Sequence, residues 1–242
     1  ENLIRYDANT NINFMSGESQ TSVVAGANNV NTSRSRRGMG GWGGGNGITQ
    51  TQNFGVNNNS ILSESLKIGG DGSFNHSNNL SEVNSTKESY LRGSIFNDST
   101  FNTSFNDRYA ASLRLEAEWK PDSLTTLIIQ PRINYNQGTS NSSRDYIYLQ
   151  DEDTTSYGGS QNAGYNNSLS AGARLIASRK FASKPGRTLT ANFNSGFSQN
   201  DSHSFNFSNK TTADSTRIIN QYTHNTSGNI NFDTRISFVE PL

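Results

Sequence analysis

The chain has 242 residues, a net charge of +0 and no cysteine, with only 31% hydrophobic residues but 10% aromatics. The missing cysteines exclude a disulfide framework, a cysteine-ligated zinc cluster and a cysteine nucleophile, and the balanced charge gives no general footing for nucleic acid. So few apolar residues would strain to build a soluble core, which makes disorder the first rival; the neutral charge and the aromatics oppose it, and a transmembrane barrel with a wet lumen accommodates all three facts.

No run approaches eighteen apolar residues, so no transmembrane helix is expected. The first residues, Glu1-Asn2-Leu3-Ile4-Arg5, lack the layout of a signal peptide, and the expectation is an internal piece of a longer exported precursor. Residues 3–15 alternate. Ile4, Tyr6, Ala8, Thr10, Ile12 and Phe14 form one face, and Arg5, Asp7, Asn9, Asn11 and Asn13 the other. A tight turn at 16–19 leads to a strand with Thr21, Val23, Ala25 and Ala27 on one face. A long loop then runs from Asn31 to Gly47, with Arg34, Arg36, Arg37 and a glycine tract around Trp42.

The strand pattern resumes at Ile48 and continues through Phe54 and Val56, and residues 57–65 read as a turn. Leu66, Ile68, Phe74 and His76 share one phase of the next strand. Residues 78–105, rich in Asn, Ser and Thr, read as a polar loop or a strand extension beyond the membrane.

The clearest pattern is the hairpin from Asn106 to Gly138. Tyr109, Ala111, Leu113, Leu115, Ala117 and Trp119 occupy odd positions, with Arg108, Ser112, Arg114, Glu116 and Glu118 between them. After a turn at 120–123 the odd phase returns with Leu127, Ile129, Pro131, Ile133 and Tyr135. Period-two alternation is a strand signal. Tyr109 and Trp119 bracket an apolar stretch which, at roughly 3.3 Å per residue and a tilt near 40°, spans about 25 Å. That is the height of a lipid-facing band with an aromatic at each interface. Tyr109, Trp119 and Tyr135 are therefore the candidate lipid-facing girdle. Pro131 would cost a ladder bond, so a bulge is expected there.

Residues 139–160 read as a second long polar loop, holding Tyr146, Ile147, Tyr148 and the acidic triplet Asp151-Glu152-Asp153. Ala163, Tyr165, Leu169, Ala171, Ala173, Leu175 and Ala177 make the next strand, and residues 178–187 a turn. Leu189, Ala191, Phe193 and Phe197 follow, then a loop at roughly 200–220 and a last strand from Tyr222 to Phe238. Short turns thus fall near 16, 60, 121 and 182, and long polar loops near 39, 92, 150 and 210. Such segregation fits an outer-membrane barrel, with short periplasmic turns and long extracellular loops.

Several strings carry a family resemblance. They are Gly40-Gly41-Trp42-Gly43-Gly44-Gly45-Asn46-Gly47-Ile48-Thr49, Gly72-Ser73-Phe74-Asn75-His76-Ser77-Asn78-Asn79, the run from Leu113 to Ser123 (LRLEAEWKPDS), and Gly186-Arg187-Thr188-Leu189-Thr190. In order and spacing they resemble the middle of the large outer-membrane β-barrel proteins of Bacteroidetes, the group related to TonB-dependent receptors. The resemblance covers nearly the whole chain, and its motifs build barrels rather than catalyse. It implies a barrel of about twenty-two strands, a plug domain inside it and uptake energised by TonB. This chain has about nine predicted strands, no plug and no TonB box. The expected fold is therefore all-β: an antiparallel up-and-down transmembrane β-barrel segment over 1–242, forming an open curved sheet with two free edges.

Gly38 to Gly43 matches G-x-G-x-x-G, but a strand rather than a helix follows at Ile48, so a dinucleotide site is not expected. The acidic triplet lacks the glycine turn of a calcium loop, and solvated charge is its expected role. His76, His203 and His224 fall in the apolar phase of their strands, at the outer interface, and no metal site or catalytic set is expected from them. Arg5, Asp7, Arg114, Glu116, Glu118, Arg132, Arg174, Asp233 and Arg235 point to the wet side. They either neutralise one another across neighbouring strands, or contact a plug and line the substrate route.

The leading functional expectation is a segment of a TonB-dependent-receptor-like barrel in the cell outer membrane, for uptake of an unidentified nutrient. Its partners would be outer-membrane lipid, an unknown small ligand, and a plug domain and TonB through the parent chain. No cofactor and no nucleic acid are expected. The alternative is a surface adhesin or a barrel component of an envelope complex. An enzyme is not expected, for want of any acid–base or nucleophile constellation.

Overall fold

Alternating side chains become strands throughout. In the computed structural model, which describes residues 4–30, 47–91 and 93–241, nine strands follow in chain order. They are β1 (Asp7–Ser16), β2 (Ser19–Asn28), β3 (Ile48–Ser63), β4 (Leu66–Leu91), β5 (Ser94–Asp122), β6 (Thr125–Gln150), β7 (Asp153–Lys180), β8 (Thr188–Thr212) and β9 (Thr216–Val239). All pair antiparallel with their sequence neighbours in one sheet ordered β1 to β9. β1 and β9 do not meet, so the sheet is open with two edges. No helix occurs among the described residues, and none is therefore long and apolar enough to cross a membrane.

The register gathers the alternating apolar residues on one face. Leu113 pairs with Ile133, Ile133 with Ala171, Ala171 with Phe197 and Phe197 with Ile230. Toward the 123–124 turn, Trp119 pairs with Leu127, Leu127 with Ala177, Ala177 with Ala191 and Ala191 with Ile236. Phe54, Phe74, Ala111 and Tyr135 make a third row. The even or odd positions between them put Asn, Ser, Thr and charged residues on the opposite face.

No second layer covers the apolar face, and no hydrophobic side chain is buried among the described residues. A sheet needs a partner layer for its apolar face, and an exposed apolar patch larger than a few hundred Å² marks an interaction surface. The energetics of this fold therefore depend on what covers that face.

Strands β4 to β9 run 24 to 29 residues, roughly 80–95 Å at about 3.3 Å per residue. The short-turn ends step in one sense along the sheet, and the far ends do so from β5 onward. Ser19, the first residue of β2, pairs with Ser60 rather than Ser63, and Leu66 of β4 pairs with Trp119 rather than Asp122. At the far end Gln150 lies beside Phe96 rather than Ser94. A consistent stagger of this kind is the shear that a barrel wall requires.

Three expected loops are strand. Residues 78–91 and 94–105 belong to the ends of β4 and β5. Residues 139–160 belong to β6 and β7, joined by the two-residue turn Asp151-Glu152, and residues 200–220 belong to β8 and β9, joined at 213–215. Here neither face is continuously apolar: Asn, Ser and Thr outnumber scattered residues such as Leu80, Phe101 and Phe105. Alternation disappears when neither face is apolar, but the backbone ladder does not need it. The expected contrast of short turns with long loops becomes a contrast between short and long overhangs beyond the apolar rows. For the same reason residues 57–63 are strand, and the turn is only Glu64-Ser65. The predicted loop at 31–46 lies outside the described residues.

Pro131 makes no bulge. Arg114 pairs with Arg132 and Ala117 with Ile129, an unchanged register, while the intervening Leu115, Glu116, Gln130 and Pro131 drop out of the β5–β6 ladder. On the other side Pro131 pairs normally with Ala173. The missing N–H is the one that would have faced β5, so the chain loses a bond there without inserting a residue.

Candidate functional site

The apolar face carries the predicted girdle. Tyr109 and Tyr135 are half-buried between neighbouring strands, and Trp119 is 49% exposed. Tyr109 stacks on His76 at 4.2 Å between ring centroids, 5° from parallel, because the register sets the two side by side. Its neighbour Asp107 lies 2.6 Å from His76 Nε2. The Tyr135 hydroxyl donates to Gln137 Oε1 at 3.0 Å. Trp119 sits at the opposite end of the apolar stretch, next to the Ser123-Leu124 turn.

That turn is fastened by side chains. Asp122 Oδ1 accepts the backbone N–H groups of Leu124 and Thr125 at 2.8 and 2.7 Å, and Arg179 donates to Oδ2 at 2.9 Å. The Leu124 amide is the main reason the Asp122 carboxyl is held below the ordinary aspartate range. At the next turn Glu240 receives Arg187 through two nitrogens at 2.7 and 2.9 Å and Lys184 at 2.6 Å. Arg187 above all holds the Glu240 carboxyl down.

Of the nine charges expected on the wet side, Arg114, Glu116, Glu118, Arg132, Arg174, Asp233 and Arg235 share the polar face of β5 to β9. Asp71, Arg114, Arg132, Gly172, Gly196 and Asn231 form one row across six strands. Two arginines stand directly opposite each other in it, normally an unfavourable pairing. Gly172 relieves the crowding: a Cβ there would lie 3.3 Å from Arg132 Nε and 2.7 Å from the Ser195 carbonyl.

Mutual neutralisation is only partial. Arg114 is 3.6 Å from Asp71 with its side chain 71% exposed, and Glu118 is 2.6 Å from Lys120. Glu116 instead accepts from Gln130 Nε2 at 2.6 Å, and Asp233 from Asn194 Nδ2 at 3.2 Å. Arg174 has only a long 3.5 Å contact with Asn192. A shallow hollow of about 230 Å³ lies where Pro131 opens the ladder, lined by Arg114, Glu116, Gln130, Arg132, Arg174 and Asn194 among others. Gln130 and Asn194 carry no charge and were not singled out in the sequence; only the register reveals them.

The histidines lie on the apolar face, as their phase indicates, but they do not stay apart. His203 pairs directly with His224, and both contact Asp201. His76 is in a separate cluster with Asp107 and Tyr109. The spacing of Asp201 and His203 by two is visible in the sequence, but the third member is not without the β8–β9 register.

Asp151 and Glu152 form a hairpin turn with both residues in the left-handed region, φ 50° and 72°, which the two-residue turn demands. Asp151 Oδ1 accepts the Ile95 N–H at 2.8 Å, and no convergent carboxylate cage forms there among the described residues. Gly38 to Gly43 lies outside the described residues, and β3 rather than a helix follows it.

Compared with known protein families and with curated proteins, the chain matches none.

Proposed function

We propose that this sheet is a stretch of wall from a larger β-barrel in the bacterial outer membrane, of the TonB-dependent-receptor-like kind, which takes up a nutrient. The observation that carries the proposal is a nine-stranded up-and-down sheet with a continuous apolar face and no layer of its own to cover it. Lipid supplies that layer in a barrel wall, and strands added at both free edges close the circle.

Three further features support the reading. The continuous apolar rows are limited to the part of each long strand near the 123–124 and 181–187 turns, and beyond them Asn, Ser and Thr predominate with only scattered apolar side chains, as expected of a wall leaving the bilayer. Tyr109, Tyr135 and Trp119 stand at the limits of that zone. The opposite face carries arginines and amides in place of apolar packing, and it lines the passage or receives the plug. The uptake of a nutrient, and the dependence on TonB and a plug, rest on the motif resemblance.

The long polar overhangs favour a second reading, in which the same wall displays an adhesive or complex-forming surface. The membrane proposal is tested by phase partitioning. The chain should enter the detergent-rich phase and precipitate when detergent is removed. A chain that stays soluble and monomeric without detergent would contradict it.

A further inference from the structure

Asp201 and His203 of β8 are two residues apart, so both project from the same face. The β8–β9 register puts His224 opposite His203 and Thr226 opposite Asp201. The imidazoles stack at 4.2 Å, 11° from parallel. The single carboxylate serves both: Asp201 Oδ1 lies 2.7 Å from His224 Nε2, and Oδ2 lies 3.2 Å from His203 Nε2.

Nδ1 of His203 is engaged with the Tyr222 hydroxyl at 2.7 Å. If Nδ1 carries the proton and donates to Tyr222, Nε2 keeps its lone pair and faces Asp201. A partner on the second ring nitrogen is the usual device that orients a metal-binding histidine. One ligand atom from each of Asp201, His203 and His224 lies within 4.8 Å of the others. Thr226 Oγ1 stands 3.1 Å from both Asp201 Oδ1 and His224 Nε2.

We propose that Asp201, His203 and His224 form a binding site for a divalent transition-metal ion, with zinc as the best match. Two neutral imidazoles and one carboxylate are borderline ligands that zinc, copper and nickel favour over calcium or magnesium. Zinc binds such nitrogen and oxygen ligands at about 2.0–2.2 Å. The site sits on a pair of registered strands with all three side chains partly exposed, so an ion can enter, and three protein ligands leave a position for water. His224 is the most exposed of the three, at 48%. The His76–Asp107 pair at 2.6 Å has no third ligand beside it among the described residues, which makes it an internal control. The inference is independent of the membrane reading.

The test is zinc titration of the full chain in detergent by calorimetry, with cobalt absorption reporting coordination. One Zn²⁺ per folded chain is expected. His203→Ala and His224→Ala should each weaken binding by more than the roughly 10–100-fold that a lost second-shell partner costs, and Tyr222→Phe should fall within that range. His76→Ala should bind as the parent does. Asp201→Asn keeps the shape while removing the charge, and it should also lose affinity, so a folding defect in an alanine variant does not decide the matter. Circular dichroism reports the strand content of each variant. Absence of stoichiometric binding, equal binding by the His203 and His224 variants, or equal binding by the urea-unfolded chain would overturn the proposal.

Discussion

Exchanging a single side chain for arginine on each face of β5 separates a lipid-covered sheet from one in water. Leu115 lies near the middle of the Tyr109–Trp119 stretch, on the apolar face and 43% exposed. Ser112 is on the opposite face, with its Oγ 2.8 Å from that of Ser73. Arginine facing the bilayer midplane costs about 2–4 kcal/mol, which at 1.36 kcal/mol per decade is roughly a 30- to 1000-fold shift in the folding equilibrium. Ser112→Arg loses one neutral hydrogen bond, about 1 kcal/mol, on a face where the new charge can be hydrated. In water the order reverses: an exposed Leu115→Arg change falls within about ±0.5 kcal/mol, and Ser112→Arg becomes the costlier. The assay is urea unfolding of each variant in lipid vesicles, followed by Trp fluorescence. Equal losses at the two positions, or the larger loss at Ser112, would refute the assignment of faces.

Pro131→Val restores the N–H that faces β5 while keeping an apolar side chain. It should stabilise the chain by about 0.5–1.5 kcal/mol, seen as a higher urea midpoint and a protected, slowly exchanging new amide at position 131; no gain would mean that proline is not what opens the ladder. Gly70→Val places a Cβ 2.6 Å from the Arg114 carbonyl and 2.8 Å from Leu115 Cδ2. Overpacking of this kind should cost about 1–3 kcal/mol, against little for the same change at Gly138, where nothing lies closer than 3.8 Å. The depressed Glu240 carboxyl contributes its stabilisation in full above the unfolded-chain pKa and loses it as pH falls through the lower folded-state value. Amide exchange in the 181–187 turn should therefore quicken below the ordinary glutamate range. Glu240→Gln should quicken it at neutral pH, and a turn indifferent to both would show that Glu240 does not hold it.

What could be read from the sequence tracks where one face is apolar. The hairpin around Lys120 to Ser123 was legible because Leu113, Leu115 and Ala117 alternate with Arg114, Glu116 and Glu118, and the register sets Arg132, Arg174, Asp233 and Arg235 on the same face as those three charges. The upper halves of β4 to β9 were not legible, because Asn, Ser and Thr on both faces leave no period to detect while the backbone pairs regardless. Pro131 was legible as a defect, but its form depended on which neighbour its absent N–H faced. The Asp201–His203–His224 cluster could not be found at all, since the two histidines are twenty-one residues apart and meet only through the β8–β9 register.

The central claim is that lipid covers the apolar face, and Trp119 reports on it directly. The chain has two tryptophans, so Trp42→Phe leaves Trp119 as the sole tryptophan, excited selectively near the red edge of its absorption. In vesicles its emission should be quenched by lipids brominated near the headgroup end of the acyl chain, less by lipids brominated near the chain terminus, and little by aqueous iodide. Strong iodide quenching with no response to brominated lipid would contradict the claim.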